Sequence, residues 1–138
     1  MKTISKVLFL SVLTLIFLTI GCGDKYSDVK KVNEEYIVLV ESYIVSLDKA
    51  DNAKDVAKAI NKFADGMQNL MPEMQKLSEK YPELDDQSNP SEELKEIQEK
   101  TQEVGQKMAG AMMKLMPYMT DPEVLNAQGH LVEVMQKK

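Results

Sequence analysis

Between residues 51 and 81, apolar side chains recur at alternating spacings of four and three: Val56, Ile60, Phe63, Met67, Leu70, Met74, Leu77 and Tyr81. A helix with 3.6 residues per turn places such positions on one stripe, whereas a strand needs a period of two. A stripe of that length must be covered by other helices, which sets an all-α architecture. Ala57, Ala64 and Met71 widen it on one side, and Asp51 or Asn52 can cap its start. Pro72 lacks the N–H that the hydrogen-bond ladder needs, but the stripe keeps its phase on both sides, which predicts a kink and not a division.

The neighbouring segments repeat this pattern. Ser27 can cap a first helix carrying Val29, Val32, Tyr36, Leu39, Val40, Tyr43 and Leu47. Its "YIVLVESYIV" would also suit a strand, yet its length, flanking charges and lack of a turn before Asp51 favour a helix. Residues 81–90 form a linker with proline near both ends, and Asn89-Pro90 makes a helix start. The third helix then carries Leu94, Ile97, Thr101, Val104, Met108, Ala111, Leu115 and Tyr118, widened by Met112 and Met119. Gly105 and Gly110 either weaken this helix or admit a close neighbour. Asp121 and Pro122 start a short fourth helix with Val124, Leu125, Leu131, Val132 and Met135 as its apolar stripe and Lys137 and Lys138 at its negative end. The sum is an up-down antiparallel bundle of three long helices plus one short C-terminal helix. A hairpin of helices two and three would set Met67 level with Gly105 and Met74 level with Gln98.

Ahead of the bundle, Lys2 and Lys6 precede an uncharged apolar run over residues 7–20. At roughly 14 residues the run is shorter than the ~20 of a membrane-spanning helix and fits the apolar region of a cleaved secretory signal. It ends in Leu18-Thr19-Ile20-Gly21-Cys22, which resembles the lipobox of bacterial lipoproteins, with Thr19 where that family usually has Leu. The resemblance implies cleavage between Gly21 and Cys22 and acylation of the Cys22 sulfur, a transfer that needs the nucleophilicity of a thiol. The alternative is an ordinary cleaved signal followed by a buried thiol. The lipoprotein reading divides the chain into a signal peptide (1–21), a lipidated cysteine with a polar tether (22–28) and a helical domain (29–138). It also implies export and membrane anchoring through acyl chains, where more than one chain is needed for a stable hold. In a host with two membranes, Gly23 after the cysteine, in place of Asp, points to the periplasmic face of the outer membrane.

Composition narrows the function. Cys22 is the only cysteine, so no intramolecular disulfide staples the domain and the core must hold it. Of 17 basic residues, Lys2 and Lys6 leave with the signal; the remaining 15 against 22 acids give −7. That balance disfavours nucleic acid as a partner. His130 is the sole histidine and falls on the polar side of helix four, beside Asn126 and Glu133. Position 127 is Ala, so the Glu-x-x-His pattern of di-iron bundles is missing. The carboxylate pairs Glu34/Glu35, Asp85/Asp86 and Glu92/Glu93 are adjacent in sequence and point apart on a helix or into solvent in a loop. Neither a nucleophile with its base, nor a phosphate loop, nor zinc spacing can be assembled, so a non-catalytic protein without cofactor is expected.

Methionine is the remaining signal: nine of the ten follow the predicted cleavage site. Their flexible thioethers fill gaps between helices or build adaptable apolar surfaces. The expectation is therefore an envelope interaction or accessory module that docks an envelope protein on a groove involving the Met-rich faces. Two alternatives stay open: a Cu(I) or Ag(I) protein using Met108, Met112, Met116 and Met119, since thioethers are soft ligands, and self-association through the apolar "YIVLV" of helix one. "FADGMQNLMPEM" (63–74) and "MAGAMMKLMPYM" (108–119) agree at six of 12 positions, which chance and shared packing in a composition rich in Met, Ala and Leu account for, the alternative being a duplicated helical unit.

Overall fold

The computed structural model describes residues 25–84 and 91–136, so Gly21, Cys22 and the apolar leader lie outside the described residues. Four helices follow one another: α1 (Ser27–Asp48), α2 (Ala53–Lys80), α3 (Glu92–Met112) and α4 (Pro122–Gln136). Short 3-10 segments extend α2 at Pro82–Leu84 and α3 at Met113–Tyr118. No strand occurs among the described residues, and the three long helices and one short one match the pattern of stripes.

Local chemistry explains most of the boundaries. Asn52 caps α2, its side chain accepting from the Asp55 N–H at 3.0 Å while its amide donates to the Asp55 carboxylate at 2.7 Å. Ser91, not Asn89, caps α3, its hydroxyl accepting from the Leu94 N–H at 3.4 Å. Asp121 accepts from the Glu123 N–H at 2.9 Å, with Pro122 as the first residue of α4. At α1 the cap position is Tyr26, whose side chain bonds to Glu83 and not to the helix start, and Ser27 is already helical. α2 runs unbroken through Pro72.

Two stripes bury as the spacing predicts. Val56, Ile60, Phe63, Met67 and Leu70 of α2 and Val104, Ala111 and Leu115 of the third segment all lie in the core. In α1, Val40, Tyr43 and Leu47 join them, and the Tyr43 ring stacks on Phe63 at 4.8 Å between centroids. Burial pushes the Tyr43 phenol above its ordinary value. Tyr36, Ile37, Leu39 and Ile44 are packed against the same core, so α1 is apolar over a wide arc. It needs that arc because it has two neighbours, α2 on one side and α3 on the other. The strand-like richness of "YIVLVESYIV" is thus the mark of a helix packed on two sides; Val38 and Val45 remain exposed on its outer side.

Consecutive helices alternate in direction, but they do not all pack on their sequence neighbours. α3 lies along α1 and parallel to it: Thr101 meets Asn33 at 2.8 Å near one end, and Lys114 pairs with Asp48 at the other. α4 packs on α2, also in parallel, with His130 Nδ1 3.2 Å from Asn61 Oδ1. The extensive interfaces are therefore α1–α2, α1–α3 and α2–α4, and the α2–α3 hairpin expected from sequence does not form. The reason lies at the base of α1, where Tyr26, Val29, Tyr81 and Leu94 bury one another. This cluster draws the start of α3 onto α1.

Polar contacts lock the same base. Lys80 pairs with Asp28 at 2.5 Å, Lys25 with Glu83 at 2.8 Å, and the Tyr81 hydroxyl lies 2.8 Å from the Lys25 carbonyl and 3.0 Å from Asp28. The Lys80 ammonium holds the Asp28 carboxyl below its ordinary value, and Lys25 does the same for Glu83. Lys25, Tyr26, Ser27 and Asp28, tether by composition, thus belong to the folded body, with Tyr26 buried.

The stripe of α4 is rotated from its expected position. Val124, Ala127 and Val134 are buried with Leu131 packed beside them, while Leu125, Val132 and Met135 are exposed. The inward spacing is three, four, three through Ala127, whose small side chain lets α4 approach α2 closely.

Candidate functional site

Unequal helix lengths create the site. α2 has 28 residues and α4 has 15, which at 1.5 Å per residue is about 42 Å against about 22 Å. The Tyr118 hydroxyl donates to the Asp51 carbonyl at 3.3 Å just before α4 begins, and His130 faces Asn61, so α4 runs beside only the first half of α2. Below the end of α4 the apolar stripe of α2 continues, and among the described residues no fourth helix lies over it. Met67 is 3% exposed, whereas Met74, two turns on, is 39% exposed.

What remains is an apolar groove of about 420 Å³, within the ~300–1,000 Å³ typical of small-ligand pockets. Met67, Met71, Met74 and Leu77 of α2 form one wall, Ile97 and Thr101 of α3 the other, and Val29, Val32 and Tyr36 of α1 the floor. Met135 closes the upper end and Leu84 lies toward the base. Of the lining groups, Asn33 and Thr101 are the two most polar, and they face each other at 2.8 Å. Thr101 Oγ1 also lies 2.8 Å from the Ile97 carbonyl. Their hydrogen-bonding capacity is largely used within the wall, and among the described residues no charged side chain lines the space. Such a surface can bury apolar groups of a ligand and gives little to orient a polar one.

Of the two Met-rich faces, Met67, Met71 and Met74 line this groove, and Met135 joins them. The set Met108, Met112, Met116 and Met119 does not assemble on one face. Met108 packs against the core, while Met112 is 50%, Met116 66% and Met119 48% exposed at the opposite end of the bundle. The helical spacing that linked them fails because the chain tightens into a 3-10 segment at Met113. Met113 itself, outside the predicted stripe, is 69% exposed.

His130 is half-buried at the edge of the α2–α4 interface, a more packed position than the solvated one expected. Glu34 and Glu35 are exposed. Glu92 pairs with Lys95 at 2.6 Å, which lowers its carboxyl pKa, and Asp85 and Asp86 lie outside the described residues. Among the described residues no three His, Cys, Asp or Glu side chains are grouped to hold a metal, and no helix is long and apolar enough to cross a membrane. Sequence reasoning missed the Asn33–Thr101 pair, whose only signal was a polar residue at a stripe position, Thr101. Comparison with known proteins finds no matching family model and no similar curated protein or solved structure.

Proposed function

We propose that the protein is a lipid-anchored, non-catalytic helical module of the bacterial cell envelope that docks an apolar segment of a partner protein in its groove. The observation that carries this reading is the open lower half of the α2 stripe, where Met71, Met74 and Leu77 stand beside a cavity that no further helix of the described residues covers. Thioether side chains suit such a task because three rotatable bonds let them repack around differently shaped partners. The anchor fits the same end of the molecule. Lys25 is held at the base by Glu83, and Leu84 next to it lines the groove. Only Gly23 and Asp24 separate Lys25 from Cys22, a reach of about 11 Å at most. Acyl chains on Cys22 would keep the groove near the bilayer surface, where a membrane-associated partner is concentrated.

A photo-crosslinking amino acid at Met74, compared with one at exposed Lys76 on the same helix, tests the docking. The expected result is a discrete protein adduct formed in the envelope at 74 and absent at 76. Equal, diffuse labelling from both positions contradicts the reading. Mass spectrometry of the same purified protein tests the anchor through the acyl mass on an N-terminal Cys22.

A further inference from the structure

The groove is long and narrow. Met67 at its upper end and Leu77 near its base both stand on α2, about 15 Å apart along the helix axis. Spread over that length, the 420 Å³ of the groove has a mean section of about 28 Å², whereas a helix with its side chains needs roughly 80 Å² or more. A partner can press side chains into such a channel while its backbone stays outside. An extended peptide could not enter either, because its N–H and C=O groups would meet walls whose two most polar side chains, Asn33 and Thr101, already bond each other. A polymethylene chain has no polar group to satisfy. With each methylene taking about the ~30 Å³ share of a water molecule, the space holds about 14 of them in single file.

The lower end of the groove is also where the described residues begin. The Lys25 carbonyl accepts from the Tyr81 hydroxyl at 2.8 Å. Leu77 and Leu84, both lining the groove, pack against the cluster to which Tyr81 belongs. Cys22 precedes Lys25 by three residues, so a chain attached to its sulfur starts within about 11 Å of this point.

Resting on the lipid-anchor reading above, we propose that one acyl chain carried by Cys22 occupies the groove while the protein is out of the bilayer and leaves it when the anchor inserts. Against water, each methylene favours the groove about fourfold. Against the bilayer the order reverses, because the groove is open along one side, as the 39% exposure of Met74 shows, whereas lipid surrounds the chain completely. The anchor thus regulates the docking surface: the groove is filled in transit and free for a partner's side chains at the membrane.

The test uses the full-length chain, whose sole cysteine is Cys22, alkylated with N-methyl, N-butyl, N-octyl or N-dodecyl maleimide. Methionine oxidation by dilute peroxide is then followed by peptide mass spectrometry. The expected result is protection of Met71 and Met74 that grows with chain length, reaching at least ~10-fold slower oxidation in the dodecyl than in the methyl derivative. Met113 and Met116, exposed at the opposite end of the bundle, should oxidise at one rate throughout. Adding phosphatidylcholine vesicles should bring Met71 and Met74 of the dodecyl derivative to the rates of the methyl derivative with the same vesicles. Rates independent of chain length, equal protection of Met113 and Met116, or protection that persists on vesicles overturns the proposal. The acyl mass on native Cys22 is measured separately, and its absence refutes the anchor reading whatever the alkyl series shows.

Discussion

Truncating the α2 stripe at two points separates core from groove wall. Ile60 is 1% exposed, and replacing it with alanine removes three buried carbons. At about 0.8 kcal/mol each the transfer loss is about 2.4 kcal/mol, and the cavity left behind raises the cost to roughly 3–4 kcal/mol. Met74 follows the same heptad spacing but is 39% exposed beside an existing opening. Met74→Ala loses about 60% of a comparable transfer energy, roughly 1.5 kcal/mol. It creates no new cavity, regains a few tenths of a kcal/mol in helix propensity, and releases side-chain entropy. The net cost is about 0.5–1 kcal/mol. For a domain of about 110 residues, 1 kcal/mol moves Tm by roughly 4 °C. Ile60→Ala should therefore melt about 12 °C or more below the parent, and Met74→Ala within about 4 °C of it. Urea titration followed by circular dichroism at 222 nm measures the free energies directly. Equal costs at the two positions would refute the reasoning, because Met74 would then be covered in solution by another segment or another molecule.

Three further perturbations probe other parts of the molecule. Asn52→Ala removes the α2 cap and should cost about 1 kcal/mol by urea titration. Gly105→Ala and Gly110→Ala place a methyl group where nothing lies within 4 Å, and each should stabilise by about 0.5–1 kcal/mol; Gly66→Ala brings a Cβ within 2.3 Å of a Leu39 methyl carbon and should destabilise. Asp28 has its folded pKa depressed below 3.8 by Lys80 and Glu83 below 4.5 by Lys25, so their contribution is present above those values and lost as pH falls through the folded ones. Amide protection at the base of α2, taken relative to the intrinsic exchange rate at each pH, should fall below about pH 4, and Asp28→Asn should match the parent in acid while loosening the base at neutral pH.

The stripe pattern made each helix legible but not its partner. Val56 through Leu70 show that α2 is covered on one side; they do not say by what. Pairing α2 with α3 assumed that consecutive helices pack together, and Tyr26, Tyr81 and Leu94, scattered in sequence, decide otherwise. The wide apolar arc of α1 held the clue, since a helix with Tyr36, Ile37, Leu39 and Ile44 packed around Val40 needs neighbours on two sides. On α4, Ala127 carried too little hydrophobic weight to reveal the inward row, while the larger Leu125 and Val132 drew the stripe outward. The two "LMP" stretches show how context overrides local sequence. Leu70-Met71-Pro72 continues as α-helix, whereas Leu115-Met116-Pro117 lies in a 3-10 segment. In the second copy the chain must turn into α4 within a few residues, so the tighter winding is set by the connection. Leu70 and Leu115 are both buried, but Met67 is 3% and its counterpart Met112 is 50% exposed.

Thiol reactivity along one stripe is the most direct test of the open groove. In a Cys22→Ser background, cysteines placed singly at Met67 and Met74 are labelled with a maleimide under native conditions. The open groove predicts that position 74 reacts near the rate of a denatured control while position 67 is slower by orders of magnitude. Equal protection at both would mean that the lower half of α2 is covered, and the docking surface described here does not exist.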